Sequence, residues 1–212
     1  MFILTIDQQG SRRVGDRVEE LLEVFAALPA VAPGAPGLVR PFERTVGDEV
    51  QAVLDDAELV VDLALTVLRR GGWSVGIGAG PVHEPLPETS RAGWGEAFIL
   101  ARSAVERAKT RTRPVPLAVD GVDPVAAADA EAVLTLVAAV AERRTAAGWE
   151  VIDALRVGGE GSRQEDVATR LGISQQAVSQ RLRTALWAEE LAARPLAARL
   201  LATAGTERKV EQ

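Results

Sequence analysis

The 212-residue chain has no cysteine, which excludes disulfides, thiolate metal sites and cysteine nucleophiles together. It has one histidine, His83, which lies between Pro81 and Pro85 with no second imidazole to share a metal ion. It reads as a solvated loop residue. No apolar run reaches membrane-spanning length, so no membrane association is expected. The opening MFILTIDQQG lacks a basic region ahead of its short apolar run and does not read as a signal peptide. A cytoplasmic location is the expectation. A net charge of −6 argues against indiscriminate nucleic-acid binding by the whole surface.

What is present describes a globular protein, with 47% hydrophobic and 25% charged residues and enough length for two small domains. Charge is unevenly divided. Residues 142–212 carry 11 basic and 10 acidic side chains, for a net +1. The remainder carries 13 and 20, for a net −7. Two parts with different jobs are expected.

The most informative stretch is SRQEDVATRLGISQQAVSQRLRTA, Ser162–Ala185. Ser162 and Glu165 have the spacing of a capping box, and Val167, Ala168 and Leu171 share one face of the helix that follows. Gly172 then leaves the helix, and Ser174 caps a second one whose inner face is Ala177, Val178, Leu182 and Ala185. The outer face keeps Gln175, Gln176, Ser179, Gln180 and Arg183. Amides, hydroxyls and guanidinium groups bond to base edges and phosphates. No acidic residue occurs from Ser174 to Ala188, whereas a merely solvated face is more often rich in Glu and Lys. The pattern is that of a helix-turn-helix. Ser174, Gln175, Gln176, Ser179, Gln180, Arg181 and Arg183 are the candidate contacts to double-stranded DNA. The glutamines are expected on bases, and Arg181 and Arg183 on phosphates with help from Arg163 and Arg170. Ala146–Val157 is expected to prop the pair from behind.

Upstream, the pattern predicts strands at Met1–Asp7, Leu38–Thr45, Glu49–Leu54, Trp73–Val82 and Val115–Val119. Helices are expected at Val14–Leu28, Asp55–Arg70 and Gly95–Thr110, with Gln8–Arg13 a polar turn. An antiparallel sheet with its helices on one face follows from that order. The glycines of WSVGIGAGPV suit a strand that a helix backbone or a ligand approaches closely. Arg12-Arg13 reads as a solvated pair. The boundary is placed near Asp120, between domains at 1–119 and 123–204. Asp123 should cap an alanine-rich helix, Pro124–Arg143, whose apolar surplus suggests a homodimer. Gly205–Gln212 is expected to be a frayed polar tail.

The segments LTIDQQGSRR, TVGDEVQAVL, WSVGIGAGPV and GEAFILARSAVERA resemble successive motifs of the SatD family, which in turn resembles the catalytic domain of class III nucleotide cyclases. The resemblance covers residues 1–119. It implies a ferredoxin-like, cyclase-like α+β domain, with Asp7 and Asp48 at the two metal positions for a divalent ion such as magnesium with a nucleotide. The alternative is that Asp48 shapes its turn and Asp7 caps Gly10 or Ser11. The cyclase Asn and Arg positions hold Ile99 and Ser103, with Arg102 expected to point elsewhere, so cyclase activity is not expected. The C-terminal run is similar to MarR-like and sigma-factor region-four-like domains, which implies a winged-helix-type or trihelical all-α fold. The combined expectation is a transcriptional regulator whose first domain senses a small molecule or nucleotide, or dimerises. The alternative is a metal-dependent nucleotide-binding or nucleotide-processing enzyme with a helical accessory domain.

Overall fold

The computed structural model describes residues 1–159 and 161–207, in a mixed α+β arrangement. The chain forms two compact units: Met1–Thr135 together with the chain from Arg194 onward, and Leu136–Ala193.

In the first unit, β1 (Phe2–Gln8), β2 (Leu38–Arg44), β3 (Glu49–Leu54), β4 (Trp73–Ala79) and β5 (Leu117–Gly121) form one sheet in the order β2-β3-β1-β4-β5. The β2–β3, β3–β1 and β1–β4 pairs are antiparallel, while β4 and β5 are parallel. The expected all-antiparallel sheet is therefore mixed. A parallel neighbour needs a crossover, and α4 (Glu96–Ala108) supplies it.

The polar turn expected after β1 holds one helical turn, α1 (Ser11–Val14), and the first long helix, α2 (Val18–Ala26), starts four residues later than expected. In α3 (Ala57–Arg70), the Asp56 carboxylate accepts the Glu58 and Leu59 N–H groups at 2.8 and 3.3 Å, satisfying the helix start.

The two faces of the sheet are covered differently. Ile3 and Val53 pack with Ala97 and Ala101 of α4. On that face a Cβ at Gly76 would lie 2.3 Å from the Val105 nitrogen, and one at Gly78 would lie 2.2 Å from the Ala97 oxygen. The two glycines let the α4 backbone rest on β4, the close approach expected of this strand. The other face presents Leu4, Ile6, Val75, Ile77 and Leu117, all buried. There α9 (Trp187–Ala204) ends against Gly121, where a Cβ would lie 2.6 Å from the Ala204 oxygen. Helices thus cover both faces, not one. Alternation along β5 is the reason: Ala118 packs with Ala104 and Ala108 of α4, so Gly121 faces the other way.

The division into units also differs from a cut near Asp120. Helix α5 (Pro124–Glu142) is capped by Asp123, whose carboxylate accepts the Val125 and Ala126 N–H groups at 3.0 and 3.1 Å. Glu131 of α5 accepts the Val119 N–H at 2.8 Å and the Arg107 guanidinium at 2.9 Å, and pairs with Arg113. The Asp123 N–H donates to the Ala204 carbonyl at 3.1 Å. These bonds bind the front of α5 and the end of α9 to the sheet. By length and composition α5 is also long and apolar enough to cross a bilayer, with a mean hydropathy of 1.6, contrary to the sequence expectation. Here its Ala126, Ala127, Ala130 and Leu134 are buried, while Val125 and Leu136 are exposed.

The second unit contains α6 (Ala146–Val157), α7 (Gln164–Leu171) and α8 (Gln175–Thr184), and no strand among its described residues. Of the expected C-terminal tail, residues 208–212 lie outside the described residues.

Candidate functional site

Three helices share one core in the second unit. Val151 and Ala154 of α6, Val167 and Ala168 of α7 and Val178 of α8 are buried together, with Leu155, Leu171, Ile173 and Leu182 against them. Gly172 makes the turn with φ 64° and ψ 32°, the left-handed conformation that glycine adopts without a Cβ penalty. The Ile173 N–H then reaches back to the Ala168 carbonyl at 3.0 Å. Ser174 opens α8, its hydroxyl accepting the Ala177 N–H at 3.2 Å.

The start of α7 is shifted by one residue from the expected Ser162–Glu165 box. Arg163 is the cap position, and Asp166 accepts its backbone N–H at 3.2 Å. The reciprocal bond is backbone to backbone, because an arginine side chain has no acceptor.

With Val178 pointing inward, Gln176, Gln180 and Arg183, spaced four and three residues apart, form an outward row. All three are exposed, as are Ser174 and Gln175, and Ser179 is half-buried beside them. Arg181 leaves this row. Its guanidinium crosses to Glu150 of α6 at 2.8 Å. Arg170 donates to the Ala154 carbonyl at 3.0 Å, tying α7 to α6. Arg163 and Arg183 are exposed.

A buried ion pair that the sequence did not announce fixes the end of α8. Arg144 Nη1 lies 2.5 Å from Glu190 Oε2, with side-chain exposures of 1% and 3%. Arg144 Nε donates to the Ala185 carbonyl at 2.7 Å, and its guanidinium lies 4.9 Å from the Trp149 ring centroid and 5.7 Å from that of Trp187. Between α8 and α9, Leu186 adopts a positive φ of 51°, unusual for a branched side chain. Arg144 holds the carbonyl just before that strained residue.

In the first unit, Asp7 and Glu49 are paired in register on adjacent strands, and Asp48 precedes Glu49. Lys109, just past α4, places its ammonium 2.9 Å from Asp7 Oδ2 and 3.0 Å from Glu106. Arg102 reaches Glu49 Oε2 at 2.8 Å, and the Thr45 hydroxyl donates to Oε1 at 2.6 Å. The expectation that Arg102 points elsewhere is corrected: it faces the strand-end carboxylates. Ile99, one turn earlier, is 72% exposed. Burial raises the Asp7 carboxyl above its ordinary range, Lys109 opposes the rise, and the Asp48 and Glu49 charges add to it. Burial alone would lower the Lys109 ammonium, but the Asp7 and Glu106 carboxylates reverse this and hold it above the usual lysine range.

A divalent cation does not fit this donor set. Lys109 already occupies an Asp7 oxygen, and no group of three His, Cys, Asp or Glu is placed to hold a metal ion among the described residues.

The Asp7 end of β1 opens into a cleft of about 1070 Å³ between the α1 segment and the turn after α4. Its cationic lining is the signal that the local pattern around Arg12-Arg13 did not convey.

Comparison of the chain with family models, with curated proteins and with solved structures finds no match.

Proposed function

We propose that this protein is a cytoplasmic DNA-binding transcriptional regulator, with the α7–α8 pair as its helix-turn-helix and double-stranded DNA as its ligand. The observation that carries the reading is the outward row Gln176, Gln180 and Arg183 on a helix free of acidic residues, set out by the left-handed turn at Gly172. Amide side chains at the front of a recognition helix can make paired bonds to adenine, and Arg183 is available to a phosphate. The helical unit, with no strand among its described residues, favours the trihelical, sigma-factor region-four-like form over a MarR-like winged helix. For the first unit, the order β2-β3-β1-β4 with antiparallel neighbours supports a ferredoxin-like, SatD-like reading, with β5 added in parallel at the edge. Exposed Val125 and Leu136 on α5 support a homodimer.

The rival enzyme reading needs Asp7 and Asp48 to share a metal ion, and Lys109 stands on Asp7 instead. Fluorescence anisotropy of the full chain on its own promoter and on a scrambled duplex, across a salt series, tests the regulator. A preference of about 10³-fold or more for one sequence is expected. Equal weak binding to both duplexes would remove the proposal. Light scattering at micromolar concentration tests the dimer, and a monomer mass would reject it.

A further inference from the structure

We propose that the cleft beside β1 binds a small molecule carrying a diphosphate group, held by arginine without a metal ion. The inference is independent of the DNA-binding reading, since every residue in it belongs to the first unit. Its basis is a local reversal of charge. Residues 1–141 carry a net −7, yet the cleft is lined by six basic side chains against one carboxylate, Asp7.

Three of those cations are already compensated. Arg17 is bound to Glu20 at 2.9 Å, Arg113 is paired with Glu131, and Lys109 lies between Asp7 and Glu106. The other three are Arg12 and Arg13 of α1 and Arg111 of the turn after α4. All three are exposed, and none forms an ion pair or a side-chain hydrogen bond among the described residues. Like charges gathered around one concavity repel one another, and a multivalent anion is the ligand that relieves this.

Guanidinium groups bind phosphate oxygens through paired, charge-assisted hydrogen bonds, which suits two arginines on one wall and one on the other. Lys109 serves a second purpose here. By neutralising Asp7 it offsets the carboxylate in the described lining of the cleft, and it takes the place a metal ion would need. A volume of about 1070 Å³ far exceeds one diphosphate, so the cleft has room for the organic part of a phosphorylated metabolite or nucleotide. The hydroxyl of Thr110 lines the same space and offers it a neutral polar group.

The test is isothermal titration of the full chain with inorganic pyrophosphate, with and without EDTA, followed by a nucleoside diphosphate. Pyrophosphate should bind in the presence of EDTA, and added salt should weaken it. The Arg12→Ala/Arg13→Ala double variant and Arg111→Ala should each lose about tenfold or more in affinity, while Arg143→Ala, an exposed arginine of the second unit, keeps the original value. Tighter binding of the nucleoside diphosphate would identify a nucleotide as the source of the group, and equal binding would point to the phosphates alone. Circular dichroism of each variant establishes that it is folded, and Arg111→Lys retains charge should the alanine form unfold. The proposal is overturned if pyrophosphate fails to bind, if binding requires magnesium, or if the folded cleft variants bind as well as the parent.

Discussion

Lys109 Nζ stands 2.9 Å from Asp7 Oδ2, joining the end of α4 to the end of β1 across a cavity rim. The pair is asymmetric. It favours the charged lysine, yet burial and the neighbouring Asp48 and Glu49 keep Asp7 harder to ionise than a free aspartate.

That asymmetry fixes a pH dependence. A carboxyl whose pKa is raised by folding binds more protons folded than unfolded, so its contribution to stability is full below the ordinary aspartate range. It is lost as pH rises through the raised folded value. Asp7→Asn should therefore gain stability relative to the parent over that window. Lys109→Met should push the Asp7 carboxyl higher still, because it removes the cause that opposes the rise. Carbon-detected NMR titration of the Asp7 carboxyl checks both, and a value at or below that of a free aspartate would contradict the account.

On α8, two substitutions should separate. Gln176→Ala is expected to cost about 1–3 kcal/mol on the preferred DNA sequence and little elsewhere, relaxing specificity at one position. Arg183→Ala should weaken binding to all sequences and reduce the salt slope by about one. The same anisotropy series reads both. Uniform loss for Gln176→Ala would take it off the bases.

Arg144 and Glu190 give the second unit its most sensitive point. Arg144→Ala takes the close partner from the buried Glu190 carboxylate and leaves it Arg156 at 4.0 Å, so it should lose about 3–5 kcal/mol in urea unfolding. It also frees the Ala185 carbonyl next to the strained Leu186. A loss below about 1 kcal/mol, the range of exposed pairs, would mean that the pair is solvated.

Glycines of two kinds should respond differently. At Gly172 no atom lies within 4 Å of an added Cβ, so Gly172→Ala costs only the left-handed backbone, about 1 kcal/mol. At Gly78 the added Cβ meets the Ala97 and Ala101 backbone at 2.2 and 2.3 Å, and neither atom can step aside alone. Gly78→Ala should cost about 3 kcal/mol or more and displace Arg102 and Lys109 along with α4. Thermal unfolding of the two variants gives the comparison, and equal shifts would argue against α4 resting on β4.

Local chemistry made much of this legible. The Gly172 turn and the Ser174 cap are short-range events, and the glycines of β4 announced a close approach. The parallel β5 went against the antiparallel expectation, although the 13-residue helix before it is the kind of crossover a parallel neighbour needs. What the sequence hid were pairings across long separations. Asp7 and Lys109 are 102 residues apart, and Arg144 and Glu190 are 46 apart. No periodicity relates such positions. Arg12-Arg13 looked like any surface pair until the fold set Arg111 in the same cleft.

The order of the chain has a consequence for synthesis. The first unit is made from two separate stretches of the chain, and its sheet keeps Gly121 for Ala204. On the ribosome, the whole of Leu136–Ala193 therefore emerges before the last partner of the sheet does. That inserted segment contains its own buried cluster and can settle first, while β5 waits with one face uncovered. A chain stopped at Ala193 would leave the ribosome with α6, α7 and α8 complete and its sheet unit unfinished.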